Sequence, residues 1–135
     1  MTDSPDTAQD GMDADMLELA ERLFNAAREG DTGLLRTYVT AGVPATLTNS
    51  AGDSLLMLAA YHGHADAVAL LVELGADVNT LNDRGQSPLA GAVFKGYADV
   101  VRVLAEAGAD PDAGNPSARA TAAYFQRTDL LSGTA

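Results

Sequence analysis

Cysteine is absent from the 135 residues. That excludes a disulfide, a cysteine-ligated zinc, an iron–sulfur cluster and a thiol nucleophile. Tryptophan is missing too, and aromatic residues make up 5% of a chain that is 47% apolar. Such a core has to be closed by small side chains packed at short range. Basic residues are scarce, with 8 Lys and Arg against 19 Asp and Glu, so the net charge is −11. Asp3, Asp6, Asp10, Asp13 and Asp15 stand in the first 15 residues with no Lys or Arg among them. No segment offers a basic stripe, so the chain is expected to bind neither nucleic acid nor an anionic membrane surface. The longest apolar run, residues 67–72, is far too short to cross a bilayer. The beginning has no basic residue and no apolar stretch, so no targeting signal is expected and a soluble, cytoplasmic protein is. High Ala, Asp and Gly with little Lys is the composition of a GC-rich bacterial genome.

What the chain does have is an echo. Residues 59–79 read AAYHGHADAVALLVELGADVN, and residues 92–112 read AVFKGYADVVRVLAEAGADPD. Gly30, Gly63 and Gly96 are spaced by 33, and so are Gly42, Gly75 and Gly108. The same step relates Ala26, Ala59 and Ala92, then Asn49, Asn82 and Asn115, then Leu23, Leu56 and Leu89. Chance does not keep five registers in phase over two periods, so the repeat is real.

Each unit reads alike. Ser54 and Ser87 suit the N-cap of a short helix over 54–62 and 87–95, with Pro88 in the first turn where proline is tolerated. Gly63 and Gly96 end it. A second helix is expected over 65–74 and 98–107, with Asp66 and Asp99 in the first turn, where a carboxylate suits the helix dipole. Val68, Leu71 and Val72, then Val101 and Leu104, recur at helical spacing as its buried face. Gly75 and Gly108 stop it, and Asn82, Asp83 and Gly85 turn the chain back.

A 33-residue helix–turn–helix–hairpin unit carrying GQSPLAGA, G(H/Y)AD(A/V)V and LGADVN/AGADPD resembles the ankyrin repeat. The resemblance implies an all-α solenoid of helix-turn-helix units joined by β-hairpin-like loops. The expected division is an acidic, disordered tail over 1–15 and repeats over 16–131, with a short tail over 132–135. Within the repeats, the units are 16–48, 49–81 and 82–114 and a truncated cap is 115–131. Two residues count as missing between Gly114 and Tyr124. One helix pair cannot bury its own apolar face, so neighbours bury it, and stability becomes a sum over interfaces.

The resemblance places recognition on the hairpin tips and the exposed side of each first helix. Transferred position by position, that surface is Arg28 and Glu29, then Ser50, Ala51, Asp53, Tyr61 and His62, then Asp83, Arg84, Gln86, Phe94 and Lys95. Arg28, Tyr61 and Phe94 share one register, and Phe125 joins it if two residues are deleted. A row of aromatic side chains on a concave face is the kind that anchors a protein partner; the competing role is to fold over a neighbour and cover the groove. The expectation is a monomeric, non-enzymatic module that binds another protein as adaptor, inhibitor or stabiliser, with no cofactor.

Two other readings compete. His62 and His64, with Asp66 close by, could serve a small metal-binding or hydrolytic protein, although they straddle a glycine turn and share no helical face. Against metal, the family resemblance gives His64 a structural place. Ser54, Ser87 and Asp53 form no catalytic set, and there is no phosphate loop or nucleophile elbow. The remaining alternative is an acidic antagonist of a basic protein, which the mixed charges of the recognition face weaken.

Overall fold

A serine sets the start of three of the helices. Ser54, Ser87 and Ser117 each hold extended backbone, and each hydroxyl accepts a hydrogen bond from the amide three residues on, Met57, Ala90 and Ala120, at 3.0–3.1 Å. The hydroxyls therefore satisfy amides that have no partner inside the helix. The computed structural model describes the backbone of residues 3–132 and side chains from Asp15 to Ser132. Seven helices run α1 (Asp3–Glu29), α2 (Thr32–Thr40), α3 (Leu55–Tyr61), α4 (Ala65–Glu73), α5 (Pro88–Lys95), α6 (Ala98–Glu106) and α7 (Ala118–Tyr124). A 3₁₀ turn, Thr128–Leu131, closes the described chain.

They stack as two rows. The inner row is α1, α3, α5 and α7, each packed on the next, and the outer row is α2, α4, α6 and the 3₁₀ turn. No sheet forms among the described residues; single antiparallel bridges, Thr48 with Ser54 and Gly114 with Ser117, pin the loops. The fold is the all-α solenoid expected, and the 33-residue period is its layer spacing.

Leu23, Leu35, Leu56, Leu71, Leu89 and Leu104 are fully or almost fully buried between the rows. Ala26, Ala59, Ala60, Ala92, Ala118 and Ala122 line the inner row with little or no exposure. These alanines let successive inner helices approach closely, which is how a core with so few aromatics closes.

Helix α1 has 27 residues against 7 or 8 in the other inner helices, and it runs across the boundary expected between an acidic, disordered tail over 1–15 and repeats from residue 16. Pro5 sits in its first turn, where proline is tolerated. Residues 1–2, and 133–135 of the expected tail over 132–135, lie outside the described residues.

Candidate functional site: the concave groove

Counting seven residues from the capping serines gives Tyr61, Phe94 and Tyr124. This corrects the register of the last unit. Asn49 and Asn82 stand five residues before Ser54 and Ser87, but Asn115 stands two before Ser117. Three residues are missing, not two, and they are the hairpin tip, leaving Pro116 alone behind a cis bond from Asn115. The position equivalent to Phe94 is therefore Tyr124, and Phe125 stands one further on.

Phe125 nevertheless reaches the row by contact. Its ring meets that of Phe94 edge-on, with centroids 5.4 Å apart, and that of Tyr124 at 4.9 Å. Tyr124 is 81% exposed, whereas Tyr61, Phe94 and Phe125 are 37%, 46% and 42% exposed, half sunk into the surface. Tyr61 lies across helix α5 at Gly91, where a Cβ would stand 3.0 Å from the ring. The Lys95 ammonium stands 5.0 Å from the Tyr61 centroid. Tyr61 thus covers part of the next unit while remaining 37% exposed.

Between them lies a groove of about 320 Å³ with Tyr61, Phe94 and Phe125 around Ala90 and Gly91. Met57 and Pro116 add apolar wall, and Gln86, Ser87 and Thr121 add polar atoms. Beyond Tyr61 a smaller recess of about 80 Å³ is bounded by Asp53, Asn82, Arg84 and Gln86.

The hairpin tips are tied to each other. Buried Asn82 donates through Nδ2 to Asp53 Oδ1 at 2.8 Å and to Gln86 Oε1 at 2.7 Å, while its Oδ1 accepts from the Arg84 and Gln86 amides at 3.0 Å. The Asp83 amide donates to the Ala51 carbonyl at 3.0 Å. Asp53 and Gln86 are therefore half-buried struts as well as candidate contacts, whereas Ser50, Asp83 and Arg84 are exposed. In the first unit Arg28 donates to Asn25 Oδ1 at 2.9 Å, and Glu29 is exposed.

The histidines point to different carbonyls. His62 Nδ1 is 2.8 Å from the Leu58 carbonyl oxygen, and His64 Nε2 is 2.7 Å from that of Arg28. Among the described residues no group of three or more His, Cys, Asp or Glu side chains is placed to hold a metal ion. The Ser54 and Ser87 hydroxyls are buried and occupied as caps. No described helix is long and apolar enough to cross a membrane.

Sequence reasoning missed Met57, Gly91, Pro116, Tyr124 and Arg127 around this face. Ser117, read as the counterpart of Ser54 and Ser87, was the signal that would have exposed the shorter tip. Nothing in the spacing announces that Tyr61 rests on Gly91.

A profile of ankyrin repeats, three copies, matches residues 23–115. A Pseudomonas aeruginosa protein named as an ankyrin repeat protein is 47% identical over 70 residues, a match spanning 52% of this chain and 39% of that relative. A bacterial relative agrees with the composition. Ankyrin repeats are in general protein–protein interaction modules rather than catalysts. With its period, its capped inner helices and its profile match in accord, the chain belongs to the ankyrin repeat family.

Proposed function

We propose that this protein binds another protein through the concave groove and hairpin tips, as an adaptor, inhibitor or stabiliser, without catalysing a reaction. The observation that carries the reading is the ring of Tyr61, Phe94 and Phe125 around a floor of Ala90 and Gly91. Half-exposed aromatics beside a small-residue floor leave apolar surface open at the point where a partner side chain can be enclosed. Arg28, Glu29, Ser50, Asp53, His62, Asp83, Arg84, Gln86 and Lys95 are the proposed flanking contacts, which set orientation and specificity more than affinity. A chain with no cysteine suits the reducing cytoplasm.

The test is affinity capture from the native cell by the wild-type chain and by Tyr61→Ala/Phe94→Ala. Anchors of this kind each contribute about 2 kcal/mol or more, so the double variant should bind its partner at least about a hundredfold more weakly. Its helical signal should persist, because neither ring is fully buried. Equal capture of the same partner by the folded double variant would rule the groove out.

A further inference from the structure

One position breaks the pattern of the inner row. The fourth residue after each capping serine is Leu58, Gly91 or Thr121, and Leu58 and Thr121 are buried. Gly91 stands inside helix α5, where glycine weakens a helix relative to alanine. Its backbone is helical, so no positive φ calls for glycine there.

What the position carries is the ring of the preceding unit. The nearest atoms that a Cβ on Gly91 would meet are Cδ1 and Cε1 of Tyr61, at 3.0 and 3.6 Å. The neighbouring layers lack this crossing. Arg28, the counterpart of Tyr61 one unit earlier, turns back to Asn25 Oδ1 at 2.9 Å, and Leu58 stands in place of the glycine. Phe94, one unit later, has Thr121 at the corresponding place and pairs edge-on with Phe125. The ring of one unit thus crosses the next inner helix where that helix lacks a side chain. The same absence opens the groove. Gly91 lines it beside Met57, Ala90 and Phe94, so a side chain at 91 would press on Tyr61 and take up part of the 320 Å³ or so.

We infer that Gly91 is the positioning and specificity-determining residue of the groove: its missing side chain seats the Tyr61 ring and leaves the space that a large apolar side chain of the partner fills. This rests on the groove being the binding site. It places the anchor point between the second and third units, where added bulk at one position sets what fits.

The probe is indole alone, the ring of an aromatic side chain, titrated into the full chain carrying isotope-labelled methionine methyls. Met57 lines the groove, and Met16, 66% exposed on α1, lies outside it and serves as the reference. In the wild-type chain indole should shift the Met57 methyl saturably and leave Met16 unmoved, and the Tyr61 ring should show a nuclear Overhauser contact to the Gly91 Hα. Gly91→Ala should weaken indole about tenfold, as one methyl in an apolar pocket does, and Gly91→Leu should abolish the shift. Both should move the Tyr61 ring resonances and keep the helical signal, since both introduce better helix formers. Tyr61→Phe, which keeps the ring, should bind indole as the wild type does. Should leucine cost the fold, the alanine variant carries the test. Equal indole affinity in the folded Gly91→Ala variant, or no Tyr61–Gly91 contact in the wild-type chain, would overturn the inference and leave the groove standing. An unmoved Met57 in the wild-type titration would overturn the groove as the binding site, and the inference with it.

Discussion

The imidazole of His64 closes over Gly30: a Cβ placed on Gly30 would stand 2.6 Å from the His64 Nδ1. The same ring reaches past the glycine to the Arg28 carbonyl, with Nε2 at 2.7 Å. A carbonyl only accepts, so Nε2 carries the proton and donates it. The arrangement recurs, with Tyr97 over Gly63 and the Arg127 guanidinium over Gly96 at 3.1 and 3.5 Å from the corresponding Cβ positions. Each unit therefore places a lid on the corner where the previous inner helix ends; a Cβ would clash at Gly30, be tight at Gly63 and meet only ordinary contact at Gly96.

Gly30→Ala tests the lid. Gly30 sits at φ +75, a left-handed conformation that costs an L residue about 1–2 kcal/mol, and the clash with His64 adds to it. His64→Ala alone should cost about 1 kcal/mol for the lost hydrogen bond. The double variant should be less destabilised than the sum of the two, because removing the ring removes the clash. Urea unfolding of all four proteins reads the coupling, and strict additivity would show that the two residues act independently.

Leu71 and Leu104 are fully buried in equivalent places on α4 and α6. Truncating either to Ala should cost about 2–5 kcal/mol. Since each layer is stabilised by its neighbours, the loss should loosen the whole stack rather than one helix. A single cooperative transition at lower urea is expected by both circular dichroism and hydrogen exchange. A loss confined to one unit would contradict that.

The repeated layers were legible because the same landmarks recur in phase. A second helix expected over 65–74 is found at Ala65–Glu73, and one expected over 98–107 at Ala98–Glu106. The last unit was not, because two of its landmarks are gone. Its hairpin tip is three residues shorter, and Gln126 holds the corner that glycine marks elsewhere. That is why the counting stopped at Phe125 rather than Tyr124. The recognition face was legible as a set of positions but not as a surface. That Tyr61 crosses to Gly91, and that Asp53 and Gln86 brace Asn82, depend on side-chain directions across units that no spacing records.

One exposed contact should resist acid to below the ordinary carboxylate range. Asp112 accepts from Arg119 Nε at 2.8 Å, and this hydrogen bond holds its carboxyl below the ordinary carboxylate value, against a smaller opposing effect of desolvation. A carboxyl depressed in the folded state stabilises it above the unfolded value of about 3.9, and that contribution is lost as pH falls through the lower folded value. The pair is exposed to solvent, so the effect on stability is small. Carboxyl-carbon titration by NMR should place Asp112 below its ordinary value, and Arg119→Ala should return it there. An unshifted Asp112 in the wild-type chain would show that the pair does not form in solution.

Gln126 gives the opposite experiment to Gly30. It holds the corner position of Gly30, Gly63 and Gly96 at φ 57, the single described non-glycine residue with positive φ. No later lid covers it among the described residues, so a side chain fits, but the backbone cost of about 1–2 kcal/mol remains. Gln126→Gly removes that cost and adds about 0.5–1 kcal/mol of chain entropy to be lost on folding. The balance should be a gain of roughly 0.5–1 kcal/mol, a rise in melting temperature of a few degrees for a domain of this size. Gln126→Ala keeps a Cβ and should stay close to wild type, which separates backbone relief from any loss of the amide. If glycine lowered the melting point while alanine did not, the corner would not be left-handed in solution, and the last unit would not repeat the geometry of the others.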